Sequence, residues 1–398
     1  MCGTDVPAPA SSGTCPACRD PFATLEIEYD MERVSRSLTR DSLESRTPYH
    51  WRYQELLPFE PTELAFSWPV GGTPVTEAER LGSWAGVARL RIKDDGRNPT
   101  LSLKDRASSL AVLHAVREGA SRIACASTGN AASSLAGYAA MAGLPATIFV
   151  PERAPQPKLV QLLLYGADVR RVLGTYADAY DLCNTECGRN GWYNRNCAIN
   201  PYLVEGKKTC GLEIGEQTGA DPPEWVAVSV GDGCTIAGIA KGLEEMHALG
   251  ILARLPRVLG VQAEGVDFVA RAFETGVLPS PEETGQTVAD SIDVPVPRNW
   301  RKALDRVRRT GGTFVRVRDD EITDAMTATA GLAGILAEPA AAAAVAGIRR
   351  AVREGRIEQG ADVLAVVTGN GLKDIRTATA IAGAPRDVHT DGRWAKTD

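Results

Sequence analysis

Beyond residue 87 the chain settles into a repeating pattern of short apolar runs and longer stretches with helical spacing. The runs at 87–93, 122–126, 146–150, 225–230, 258–261, 313–317 and 363–367 are rich in Val, Ile, Leu, Ala and Phe, and 168–172 carries Val at both flanks of an Arg pair. Bounded by turn residues, they predict strands, most of them buried on both faces. Between them, residues 107–116, 130–141, 158–165, 176–187, 206–218, 235–249 and 340–352 repeat apolar side chains every three to four positions. That spacing predicts helices, and Gly119, Gly143 and Gly166 mark three of their ends. Strands alternating with helices predict mostly parallel, doubly wound α/β sheets. Upstream the pattern is looser. Residues 25–29 alternate as a strand should, 49–57 form an aromatic-rich helical segment closed by Pro58, and Gly71-Gly72-Thr73-Pro74 is a turn.

The 398 residues are too many for one ordinary core and point to two domains or one with a large insertion. With 44% hydrophobic and 24% charged residues and a net charge of -6, the chain reads as soluble and mildly acidic. No basic run argues for nucleic acid, and no long apolar stretch argues for a membrane span. An odd count of 9 cysteines without regular spacing suits a reducing cytoplasm. Residues 1–20 are rich in Pro, Ala, Ser and Thr, lack an apolar signal core, and are expected to be disordered. Cys15-Pro16-Ala17-Cys18 has the spacing of half a zinc knuckle, but no second pair lies nearby, so no metal centre is expected. None of the four histidines sits in a nucleophile or metal pattern, and Cys183 and Cys187 read as a half-buried helical stripe.

The candidate chemistry starts at Lys104. Turn residues through Asn98-Pro99 lead into Ser102-Leu103-Lys104-Asp105-Arg106, and an apolar helix follows. An amine at such a loop-to-helix junction can lose ammonium character by desolvation, as a Schiff-base lysine requires. Three strand ends are small and polar, where doubly wound sheets bind ligands. Ser127-Thr128-Gly129-Asn130 offers hydroxyls and helix N-terminal N–H groups suited to a carboxylate. Gly231-Asp232-Gly233-Cys234-Thr235 lets N–H groups converge on a phosphate. Thr368-Gly369-Asn370-Gly371 is the third.

Together these motifs resemble the fold-type-II pyridoxal-phosphate enzymes. Within them, Gly71-Gly72-Thr73-Pro74, the Ser127 loop, Glu338-Pro339-Ala340 and Thr368-Gly369-x-Gly371-Leu372-Lys373-Asp374 are similar to threonine synthase. The resemblance spans residues 25–381 and implies two doubly wound open-sheet domains with the active site in the cleft between them. The large domain would comprise 21–109 and 198–385, a small mobile domain 110–197, and a tail 386–398. The resemblance implies that Lys104 links the pyridoxal 5'-phosphate cofactor covalently and shuttles protons. It gives Asn130 to the cofactor's phenolic oxygen, Thr368 to its ring nitrogen, and the backbone from Gly231 to Thr235 to its phosphate. Ser127, Thr128, Gly129 and Asn130 would receive the substrate carboxylate. It further implies a small amino-acid substrate and a homodimer.

The chain also departs from the family. Before Gly206-Lys207-Lys208-Thr209, threonine synthases carry an Asn-Ser pair and an Arg that help bind the substrate phosphate. Cys197, Ala198 and Leu203 stand there, Lys207 stands in place of Gln and would restore one positive charge for binding the substrate, and Leu101 replaces a Gly. Three functions therefore stay open: conversion of O-phospho-L-homoserine and water to L-threonine and phosphate, elimination or replacement on a phosphoserine- or serine-type substrate as in cysteate synthase or the dehydratases, and a silent homologue.

Overall fold

The computed structural model describes residues 3–6, 14–18, 23–154, 156–197, 199–281 and 285–390, without the side chains of 156–158. Ten strands form two sheets. They are β1 (Val75–Glu77), β2 (Arg89–Asp94), β3 (Ile123–Ala126), β4 (Ala146–Pro151), β5 (Asp168–Val172), β6 (Tyr193–Asn194), β7 (Trp225–Ser229), β8 (Arg257–Ala263), β9 (Thr313–Val317) and β10 (Asp362–Val367). The larger sheet runs β1-β2-β10-β7-β8-β9, parallel except for β1, and the smaller runs β5-β4-β3-β6, parallel throughout.

The near-continuous apolar runs arise because helices cover both faces. In β10, Val363, Ala365 and Val367 enter one apolar cluster while Leu364 and Val366 enter another. In β3, Ile123 and Cys125 face one cluster and Ala124 and Ala126 the opposite one. Burying each Val or Leu in this way contributes about 1.5–3 kcal/mol. Cys183 and Cys187 join the β3 cluster as core side chains. The alanine-rich helix Pro339–Arg353 packs tightly on the larger sheet: a Cβ at Gly347 would lie 2.2 Å from Val261 Cγ2.

Residues 25–29 depart from expectation. They form no strand, because no neighbouring strand pairs with them. Their carbonyls are instead taken by side chains: Lys302 Nζ donates to Leu25 O and Lys241 Nζ to Ile27 O. Within the first twenty residues, Thr14 bridges to Thr24 and Cys15 N donates to Ala23 O at 2.8 Å, and the rest of residues 1–20 apart from 3–6 and 14–18 lies outside the described residues, as do Ala198 and 391–398. No helix among the described residues is long and apolar enough to cross a membrane.

Candidate active site

Strand order positions the site. β2, β10 and β7 are adjacent and parallel, so the loops leaving their carboxyl ends lie side by side. These are the Lys104, Thr368 and Gly231 loops. Backbone bonds join the first two, since Ser102 bridges to Gly369 and Leu103 N donates to Thr368 O at 2.8 Å. Lys104 is the first residue of helix Lys104–Arg117, and Asp105 braces the turn before it by accepting from Thr100 N at 2.7 Å and from the Thr100 hydroxyl. Leu101 has φ 68, the only left-handed non-glycine residue among those described. That conformation, which costs an L-residue about 1–2 kcal/mol, accounts for the glycine expected at this place.

Lys104 keeps some exposed surface, yet its ammonium end lies deep. Burial, and then the Lys207 ammonium, lower its pKa below the ordinary lysine value, while Cys197, Glu338 and Asp232 pull the other way. A proton-carrying amine needs that direction of shift.

Lys207 arrives by close helix packing. It sits on helix Tyr202–Thr218, which presses against Lys104–Arg117 and Cys234–Ala248 through glycines. A Cβ at Gly206 would lie 2.3 Å from Arg106 O, and one at Gly211 would lie 2.1 Å from Ile239 O. Lys207 Nζ then stands 3.4 Å from Cys197 Sγ. Burial alone would lower Lys207, but Cys197, Cys234 and Asp232 outweigh it and hold the ammonium above the ordinary lysine range. Its neighbour Lys208 points elsewhere, paired with Glu205 at 2.6 Å and Glu245 at 3.0 Å.

The Gly231 to Thr235 loop fits the phosphate that the resemblance implies. Gly233 has φ 91, and a side chain there would bring Cβ within 2.8 Å of Asn299 O. Among the described residues, no hydrogen bond uses the N–H groups of Gly233 or Thr235. Cys234 N, by contrast, already donates to Asp232 Oδ1 at 2.9 Å, so not every donor of the loop is open. Two further groups fit a ring nearby: among the described residues, Ser102 Oγ is buried without a partner, and the hydroxyl of the buried residue Thr368 makes no hydrogen bond.

From the smaller sheet, Ser127, Thr128 and Gly129 follow β3, and helix Asn130–Met141 starts at Asn130. Thr128, Gly129, Asn130, Leu101, Ser291 and Glu338 border a cavity of about 180 Å³. Asn130 differs from expectation. Its Nδ2 donates to both Glu338 oxygens, at 2.8 and 2.9 Å, so the donor assigned to the phenolic oxygen is committed to Glu338 here.

Two residues gained no role from the sequence. Lys373 Nζ joins Ser133 Oγ at 2.7 Å, Gln161 Oε1 at 2.8 Å and Thr100 O at 3.2 Å, tying the last loop to the helices of the smaller sheet. Arg195, just beyond β6, is 1% exposed and donates to Ser108 Oγ at 3.0 Å and towards Cys197 Sγ at 3.8 Å. Leu203 lies fully buried in the apolar cluster with Leu110 and Ala111. The thiols of Cys197 and Cys234 and a carboxylate oxygen of Asp232 lie within 4.8 Å of one another, but the cations Arg195 and Lys207 at the same sulfur oppose a metal dication there.

Residues 67–369 match the family described as pyridoxal-phosphate dependent enzyme. The chain is 37% identical to the threonine synthase of Methanosarcina acetivorans across 97% of its own length and 94% of that protein. It is 35% identical to the threonine synthase of Methanocaldococcus jannaschii, across 92% of this chain and 91% of that one. Among solved structures it resembles threonine deaminase isoform 2 of Solanum lycopersicum, with TM-score 0.67 and 22% identity over 78% of this chain and 88% of that one. A maize serine racemase aligns with TM-score 0.65 and 21% identity over 75% and 88%. The two structural likenesses bear on the fold alone, while the sequence relatives reach the family. The chain belongs to the threonine synthase family of fold-type-II pyridoxal-phosphate-dependent enzymes.

Proposed function

We propose that the protein is a lyase that converts O-phospho-L-homoserine and water to L-threonine and phosphate. The observation that carries this reading is the desolvated Lys104 amine at the head of the cleft, in a chain alignable with threonine synthases along nearly its whole length. Bound pyridoxal phosphate supplies an electron sink for charge developing at the amino acid's Cα. Around it, Lys104 takes and returns protons at Cα and Cβ. The open N–H groups of the Gly231 to Thr235 loop hold the cofactor phosphate, and the Thr368 hydroxyl faces the ring nitrogen. Ser127, Thr128 and Gly129 receive the substrate carboxylate at the start of helix Asn130–Met141. Lys207 supplies positive charge for the departing phosphate. Closure of residues 110–197 over the cleft keeps water from the reactive species. A homodimer in the cytoplasm belongs to the same reading.

One observation favours a second reading, elimination or replacement on a phosphoserine- or serine-type substrate. Leu203 is sealed in the apolar core, so no guanidinium enters the pocket from that position. Product and phosphate analysis with O-phospho-L-homoserine and then O-phospho-L-serine separates the two. Threonine with stoichiometric phosphate from the first substrate is the expected result, and turnover of only the second would overturn the proposal.

Thr368→Val tests the ring contact while preserving side-chain shape. Turnover is expected to drop about tenfold or more, roughly 1.4 kcal/mol of transition-state stabilisation. A variant as fast as the parent would mean that another group faces the nitrogen.

A further inference from the structure

We propose that Cys197 and Cys234 form a peroxide-responsive dithiol that locks the two sheets together across the cleft. Cys197 lies just beyond β6 of the smaller sheet, and Cys234 opens the helix that follows β7 of the larger one. Their sulfurs are within 4.8 Å, so a bond between them needs only local adjustment.

Charge indicates which sulfur reacts first. Lys207 Nζ stands 3.4 Å from Cys197 Sγ and Arg195 Nη1 3.8 Å from it, and both cations are 1% exposed. Among the described residues neither is paired with a carboxylate; Arg195 otherwise meets only the Ser108 hydroxyl. Asp232 lies near enough to help hold Lys207 charged, but the Cys197 sulfur is the group that meets both cations, and a negative charge on it offsets the cost of burying them. The pKa directions agree. The contact with Cys234, the largest cause, and Lys207, Arg195 and Lys104 hold Cys197 well below the ordinary thiol value against its burial, and Cys234 moves the opposite way. Cys125, by contrast, is pushed up to about 12 by burial. Cys197 also keeps some exposed surface, which a reagent needs.

The chemistry needs one oxidant, a hydroperoxide. The Cys197 thiolate attacks one peroxide oxygen, an S–O bond forms, the O–O bond breaks, and hydroxide leaves to become water on protonation. Sulfur is oxidised by two electrons to the sulfenic acid, and the peroxide is reduced. Cys234 sulfur then attacks Cys197 sulfur; the S–S bond forms, the S–O bond breaks, and the oxygen leaves as water with the Cys234 proton. Two thiols and one hydrogen peroxide thus give one disulfide and two waters. The bond pulls on the residue after Gly233, in the loop proposed for the cofactor phosphate, and blocks closure.

The test treats the holoenzyme with stoichiometric hydrogen peroxide, alkylates remaining thiols and maps the peptides. The expected result is a Cys197–Cys234 cross-link, with the intact chain lighter by two hydrogens, reversed by dithiothreitol together with the loss of activity. Cys234→Ser should stop at a sulfenic acid on Cys197 that dimedone traps, and Cys197→Ser should form neither product. Full alkylation of both thiols after peroxide, or a Cys183–Cys187 link in their place, would overturn the proposal. The mapping needs no substrate, so its failure is distinct from failure of the substrate assignment.

Discussion

Lys104→Ala is expected to lower turnover by about four orders of magnitude, the upper range for loss of a positioned proton-transfer group. Two features make this side chain hard to replace. Its position is fixed by neighbours that do no chemistry: the Thr100–Asp105 bonds before the helix and the Ser102–Gly369 bridge beside it. Its basicity is set by burial and by Lys207, and a surface lysine borrowed from elsewhere would have neither. Folding should not suffer. A lysine whose pKa is lowered in the folded state opposes folding at neutral pH, so in the cofactor-free protein removing it relieves a cost and the thermal midpoint should not fall. Borohydride reduction provides a check beyond rate: the parent should gain a pyridoxyl group on the peptide containing Lys104, and the variant should gain none there. A variant that keeps more than about a tenth of parental turnover would remove Lys104 from the proton path.

How far the fold can be read from sequence follows from where each element's apolar groups go. The parallel strands were legible because both faces are buried, which leaves continuous apolar runs such as Val363 to Val367. Helix Trp300–Arg309 is masked in the sequence by its charge, although Trp300, Ala303, Leu304 and Val307 follow helical spacing and are buried. The strands Val75–Glu77 and Tyr193–Asn194 are too short to carry any period. Residues 25–29 alternate like a strand, but a ladder needs a partner, and their carbonyls are served by Lys241 and Lys302 from more than 200 positions away.

The candidate site divides along the same line. Loops that leave strand ends carry their own signature of glycine, hydroxyl and amide, so the Ser127, Gly231 and Thr368 loops and Lys104 were visible locally. Side-chain partners across the cleft were not. Asn130 and Glu338 are 208 positions apart, and nothing in either motif says that they meet. Arg195 lies in an unremarkable stretch after a two-residue strand, and only its burial beside Cys197 marks it. Its one signal in the sequence was its closeness to the altered Cys197.

The largest stability effect is expected at Glu213, behind the active site. Its carboxylate takes Arg106 through two bonds, at 2.7 and 2.8 Å, Lys93 at 2.8 Å and the Gly72 N–H at 2.9 Å. Asp95 holds the other side of the Arg106 guanidinium, at 2.7 and 2.8 Å. Glu213→Gln keeps the shape and removes the charge, leaving Lys93 without an ionic partner and Arg106 with one. Breaking a buried pair from one side costs about 3–5 kcal/mol, and denaturant unfolding at pH 7 should read a loss of that size. The pH dependence supplies the sign. Burial alone would raise the Glu213 pKa, but Arg106 and Lys93 outweigh it and hold the carboxyl far below the ordinary Glu value of 4.5. A carboxylate depressed in the folded state contributes its full stability above the unfolded pKa and loses it as pH falls towards the folded one. Glu205, brought down to about 2 against its burial by Lys208 and Lys241, adds a slope of the same sign in parent and variant alike. Acidification below pH 4.5 should therefore destabilise the parent more steeply than Glu213→Gln, and the gap between them should narrow. A gap that stays constant down to pH 3 would mean that Glu213 is not the ionised centre of this network, and the Arg106 side of the Lys104 helix would need another anchor.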